Sequence, residues 1–192
     1  MADDYAVAYK TGVELAADIR SGAITSTALL DVFLRRSELL NEQVNAIVVD
    51  DSARARARAE EADTALARGE LWGPLHGVPM TVKENNDVAG LPTTKGDPAR
   101  AASTEPASTT GGKIAAQSEV MIERLLSAGA IVFGKTNLPL NAMDIQSYNK
   151  VYGSSSNPWD LTRTPGGSSS SAVALGWSAW RRRGFGPTRS WC

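Results

Sequence analysis

Gly129-Ala130-Ile131-Val132-Phe133-Gly134-Lys135-Thr136 admits two readings that lead to different folds. As a pattern it matches the Walker A phosphate loop, Gly-x-x-x-x-Gly-Lys-Thr. Physically it does not behave as one. A phosphate cradle needs a Gly-rich loop between a strand and a helix, with backbone N–H groups free to meet the anion. Here the four intervening residues are apolar. Pro139 follows three residues after Thr136, where a continuing helix accepts it only in its first turn. An NTP-binding protein using Gly129–Thr136 therefore stands as the competing hypothesis, and Ala130–Phe133 is predicted to be a buried strand.

Working outward, Ser118 is predicted to cap a helix containing Val120, Met121, Leu125 and Leu126, with Gly129 as its stop. Val78 to Val82 is a second apolar strand, ending at Lys83. Strand, helix, strand argues for an α/β sheet that is partly parallel. Nearer the N-terminus, Thr11-Gly12-Val13-Glu14 is a capping-box pattern. It opens a helix to about Ser21, with Val13, Leu15, Ala16 and Ile19 on its apolar face. A second helix runs from Thr25 or Ser26 to about Asn41 along a stripe of Leu29, Leu30, Phe33, Leu34 and Leu40. Ala46–Val49 is a short strand, and Ser52 caps a third helix through about Arg68. Arg56 and Glu60 stand one turn apart there and are expected to pair. Residues 86–117, rich in Gly, Pro, Ser and Thr, read as a long irregular loop of the kind that often carries function.

Composition narrows the class. The chain has 192 residues, 42% hydrophobic and 21% charged, with a formal net charge of −1. That reads as globular, with no basic field for nucleic acid and no polybasic patch for a membrane. The acidic interleaving of Arg54, Arg56 and Arg58 makes them a solvated helix face. The single cysteine, Cys192, gives no disulfide framework, and with one histidine, His76, no metal site and no cofactor is expected. Met1-Ala-Asp-Asp-Tyr5 lacks an apolar signal region, so a cytoplasmic protein is expected.

Three features are candidates for chemistry. His76, in Gly73-Pro74-Leu75-His76-Gly77-Val78-Pro79, is the one histidine a Ser-His-Asp triad would have to use, but its Pro- and Gly-rich turn favours a structural role. Gly166-Gly167-Ser168-Ser169-Ser170-Ser171 reads as a linker, an anion nest or a nucleophile site, and composition does not decide among them. Lys83 ends an apolar strand; a lysine drawn into a low-dielectric interior loses proton affinity and becomes a neutral base able to activate a serine without histidine.

With these residues together the chain resembles the amidase signature family. Gly73–Pro79 followed by Thr81-Val82-Lys83-Glu84-Asn85 is similar to that family's first block, with Glu84 where Asp is more usual. Gly134-Lys135-Thr136-Asn137-Leu138-Pro139 is similar to its second and accounts for the Walker A coincidence. Tyr152-Gly153, Asn157-Pro158-Trp159 and Thr164-Pro165-Gly166-Gly167-Ser168-Ser169 resemble the opening of the signature itself. The resemblance implies a Ser-Ser-Lys hydrolase of a small-molecule carboxamide on an α/β/α sandwich with a mixed β-sheet. It makes Lys83 the neutral base and Ser168 the bridging serine, held by a cis peptide, with Gly166, Gly167 and Ser169 shaping the loop. The runner-up within the family is the glutaminase component of a tRNA-dependent amidotransferase.

Departures from the family pattern carry expectations of their own. The family's nucleophile lies roughly two dozen residues beyond the bridging serine, in a Gly-[Ser/Thr]-Asp-x-Gly-Gly-Ser block whose N–H groups also form the oxyanion hole. These 192 residues contain no such block, and neither Ser190 nor Cys192 follows a Gly-Gly, so no nucleophile is assigned. Residues 1–179 are read as the N-terminal portion of a single amidase domain, hence an incomplete sandwich, and 180–192 as a divergent, frameshifted tail. If Ala179 to Arg182 are coded GCC-TGG-AGG-CGG, reading from the last C of GCC gives Leu-Glu-Ala, a family-like continuation. The chain is expected to be catalytically silent, a non-catalytic remnant being the reading from another class. Ser170-Ser171 precede Ala172 where the family usually places a glycine, and Leu140-Asn141 stand where an acidic then an apolar residue is common.

Overall fold

The computed structural model describes residues 6–102, 106–107 and 114–169. The expectations for Ser170, Ser171, Ala172, the 179/180 boundary, Ser190 and Cys192 lie outside these residues. The elements run α1 (Gly12–Arg20), α2 (Ser26–Val44), β1 (Ile47–Asp50), α3 (Ser52–Ala67), β2 (Pro79–Lys83), α4 (Pro98–Ala102), β3 (Pro106–Ala107), β4 (Ile114–Ala115), α5 (Val120–Ser127), β5 (Ile131–Thr136), β6 (Tyr148–Asn149) and β7 (Gly153–Ser154).

Gly129–Thr136 resolves as the strand reading requires. Ile131–Thr136 is the central strand of a sheet ordered β1-β5-β2, and all six of its residues are buried. β2 lies parallel to β5 and β1 antiparallel to it, so the sheet is mixed. Leu30, Leu34, Ala55, Ala59 and Ala62 of α2 and α3 pack on Ile131 and Phe133. On the other face Ile122, Leu125 and Leu126 of α5 pack with Val82, Val88, Leu91 and Val132. Helices on both faces of a sheet with a parallel pair are the layered α/β arrangement. It is partial: three strands form the main sheet among the described residues.

The local signals explain most element ends, and the exceptions have physical causes. Thr11 and Glu14 form both halves of the capping box of α1. Val13, placed on the apolar face from sequence, is exposed. Two residues before Leu15 is about 200° around a helix, so it faces away from Leu15 and Ile19. The α2 helix runs on to Val44, which is buried, and ends on Asn45 in the left-handed region. Arg56 does not pair with Glu60 but with Asp31 on the neighbouring helix α2. Ser118 is not the cap of α5; Glu119 holds that position, and Ser118 Oγ instead accepts the Ala89 N–H at 3.0 Å. Nor does Ser52 cap α3: Asp51 holds that position, and Ser52 is the first helical residue, its hydroxyl donating to Asp50 Oδ2 at 2.8 Å. The stretch 86–117 is less irregular than expected, since α4, β3 and β4 lie within it. No helix among the described residues is long and apolar enough to cross a membrane.

Candidate active site

β2 and β5 end together: the parallel register pairs Val82 with Lys135 and Lys83 with Thr136. The C-terminal ends of parallel strands are the usual place for a site in an open α/β sheet, and Lys83 is the last residue of β2. Its side chain is half-buried, and burial pulls its proton affinity below that of an ordinary lysine.

Ser168 comes to it from the other end of the chain. Lys83 Nζ and Ser168 Oγ are 2.9 Å apart. The Gly167–Ser168 peptide is cis. Gly166 has φ of 100°, a region that glycine reaches without a Cβ clash. A Cβ on Gly167 would stand 2.1 Å from the carbonyl carbon of Ile145, so the turn is seated directly on the 145–146 backbone. Ser168 is half-buried and Ser169 exposed.

Buried polar groups fix the segment leading into this turn. Asn149 Nδ2 donates to Asn137 Oδ1 and to the Leu138 carbonyl, both at 2.8 Å. Asn149 Oδ1 accepts from the N–H groups of Val151 and Tyr152. Asn45 Nδ2 donates to the Tyr152 carbonyl at 2.7 Å, and Ser155 Oγ donates to the Asn45 carbonyl at 2.6 Å. The cap of α2 therefore also holds the approach to Ser168.

A match to the Amidase family spans residues 28–179. The chain belongs to the amidase family. It is 40% identical over 169 residues to the indoleacetamide hydrolase of Bradyrhizobium diazoefficiens, covering 86% of this chain and 30% of that protein. It is 37% identical over 167 residues to a glutamyl-tRNA(Gln) amidotransferase subunit from Streptomyces coelicolor, covering 85% and 32%. The structure of a fatty acid amide hydrolase superposes with a TM-score of 0.81 at 27% identity, over 92% of this chain and 30% of that one. The chain thus spans about a third of the length of these relatives.

Within this member of the amidase family the other two sequence candidates take structural places. His76 is fully buried. Its Nδ1 accepts the Trp72 N–H at 3.1 Å, which leaves Nε2–H to donate to the Ala62 carbonyl at 3.1 Å. It joins α3 to the turn before β2 and does not reach Lys83. Lys135, the Walker A lysine, is enclosed in the sheet, where Nζ donates to the Pro92 carbonyl and to Thr93 Oγ1. No phosphate has access to it. No group of three or more metal-ligating side chains occurs among the described residues.

Sequence reasoning missed the network behind Lys83. Glu84 is 0% exposed. Its Oε1 accepts from Thr94 N–H at 2.5 Å, Thr94 Oγ1 at 2.9 Å and Tyr152 Oη at 3.1 Å. Its Oε2 accepts the Lys95 N–H at 2.9 Å. The available signal was a carboxylate next to a strand-end lysine, which reads as exposed until the fold closes the 92–95 loop over it.

Proposed function

We propose that this chain carries the general-base half of an amide hydrolase. The observation that carries the proposal is the 2.9 Å separation of Lys83 Nζ and Ser168 Oγ, with Lys83 held below ordinary lysine basicity by burial. As the neutral amine, Lys83 accepts the Ser168 hydroxyl proton while Ser168 takes the proton of an attacking serine hydroxyl. The new oxygen–carbon bond forms at the carboxamide carbonyl. The Lys83 ammonium then returns its proton through Ser168 to the leaving nitrogen as the C–N bond breaks. Water hydrolyses the acyl-enzyme to carboxylate and free serine. No Gly-Gly-Ser block follows Ser168 within these 192 residues, so on this reading no amide turnover is expected from this polypeptide alone.

Glutamine hydrolysis for a partner synthetic step is the second reading, favoured by the match to an amidotransferase component. Both readings face one assay. Release of ammonia from simple aliphatic and aryl amides and from glutamine is measured for the 192-residue chain and for the polypeptide read in the alternative frame after codon 179. The expected result is no turnover by the first and turnover by the second that Lys83→Ala abolishes. Lys83-dependent turnover by the 192-residue chain contradicts the silent-chain reading. Lys83-independent turnover by the longer one contradicts the mechanism.

A further inference from the structure

Two charged side chains are wholly enclosed beside the Lys83 end of the sheet, and the proton relay uses neither. Glu84 and Lys135 are both 0% exposed. They do not meet each other. Lys135 holds the Pro92 carbonyl and Thr93 Oγ1, while Glu84 holds the N–H groups of Thr94 and Lys95. Four successive residues are thus gripped by a buried cation and a buried anion acting on opposite groups. Burying charges this way is costly unless every lone pair and proton is met.

A one-residue irregularity puts Lys135 there. Register slips between Met80 and Thr81 opposite Val132 and Gly134, as a bulge does. Beyond it Lys135 reaches the Pro92 carbonyl and the Thr93 hydroxyl, on the side where Val132 packs with Leu91. Glu84 continues the ladder past β2, its N–H donating to the Thr136 carbonyl at 2.9 Å.

From this clamp two routes lead to Ser168. The first is Tyr152, whose hydroxyl contacts Glu84 Oε1 and whose chain runs on through β7 to the Gly166–Ser168 turn. Burial, with Glu84 adding to it, pushes the Tyr152 phenol up to about 12, so it stays a donor. The second is Lys95, whose carbonyl accepts the Asn141 N–H at 2.8 Å, four residues before the Ile145 backbone on which Gly167 sits.

We propose that Glu84 and Lys135 are positioning residues that hold Lys83 and Ser168 at hydrogen-bond distance by clamping the 92–95 loop between them. This rests on the reading of Lys83 as the base. Glu84 adjoins Lys83 in the chain and ties both routes to it, so releasing the clamp frees the serine turn and lets water reach the amine.

The test is made on the 192-residue chain and needs no turnover. Each lysine is acetylated with trace acetic anhydride across a pH series, and its midpoint is read by peptide mass spectrometry, with exposed Lys150 as the internal reference. Thermal unfolding is recorded beside it. In the parent, Lys83 is expected to titrate below Lys150. In Glu84→Gln the Lys83 midpoint rises toward Lys150 by about half a pH unit or more, against the fall that loss of a nearby anion alone would cause, and Glu84→Asp restores it; in Thr93→Val, which removes an acceptor of Lys135 without changing charge, it rises in the same direction. Tyr152→Phe, which keeps the carboxylate and the ring, gives a smaller rise and decides the matter where Glu84→Gln does not fold. A Lys83 midpoint that stays at the parent value in folded variants, whatever their melting temperature, overturns the proposal. A parent Lys83 midpoint equal to that of Lys150 overturns the base assignment itself, and the clamp with it.

Discussion

Lys83 and Ser168 stand 85 positions apart in the chain and meet at 2.9 Å. The contact depends on two unrelated pieces of architecture. A parallel strand pair ends in register and delivers the lysine; a turn without side chains at its first two positions delivers the serine over the 145–146 backbone. Half-burial of the lysine then supplies the electrostatic shift, because removing water penalises the ammonium more than the amine.

Lys135 should make stability rise with pH over a defined window. Burial holds it at about 8, below the ordinary 10.5, with Glu84, Asp87 and Glu119 opposing the shift. Between those values the unfolded chain binds the proton more often than the folded one, so unfolding free energy increases with pH. Urea unfolding of the parent and Lys135→Met from about pH 7.5 to 9.5 should show the parent gaining on the variant, with a slope of at most about 1.4 kcal/mol per pH unit. A flat or falling difference contradicts the placement of Lys135.

His76→Leu should destabilise the chain without touching the chemistry. It strips the acceptor of the Trp72 N–H and removes a second donor from the Ala62 carbonyl, which keeps its bond within α3, and a buried group left unpaired costs about 1–3 kcal/mol. Chemical denaturation should show a loss of about 1–3 kcal/mol, while the Lys83 titration midpoint stays at its parent value. A moved midpoint with intact stability would make His76 part of the site.

Gly129→Ala should be costly for a local reason. Gly129 has φ of 96°, and an added Cβ would lie 2.6 Å from His76 Cα. Alanine at positive φ alone costs more than about 1 kcal/mol, and the backbone contact adds to it. A melting temperature equal to the parent's would contradict the close approach of the two turns.

Calorimetric titration with Mg·ATP should give no saturable heat. The Ile131–Thr136 backbone is spent on strand pairing with β1 and β2, and Lys135 is enclosed. Saturable binding at micromolar nucleotide would revive the phosphate-loop reading.

The strand reading of Ala130–Phe133 was legible because four apolar residues leave nowhere for phosphate to bind, and the layered α/β arrangement followed from it. Helix starts were legible where a side chain caps its own helix, as at Thr11 and Thr25. They were misread at Ser118, whose hydroxyl serves the distant Ala89 N–H. Arg56 was misassigned for a related reason. Helical spacing offers Glu60, but only the packed pair of helices brings Asp31 closer. In the site, Lys83 and Ser168 could be named from motif and resemblance. Glu84 and Lys135 could not be linked to them, because their roles depend on a strand irregularity and on a loop with no sequence periodicity.

The most direct test of the account is the titration of the Lys83 amine in the folded 192-residue chain, followed by NMR with lysine labelled at the ε-carbon, beside Ser168→Ala. The account predicts a Lys83 midpoint below that of exposed Lys150 and a changed Lys83 signal when the Ser168 hydroxyl is removed. A Lys83 midpoint at or above the ordinary lysine value, indifferent to Ser168→Ala, would contradict it.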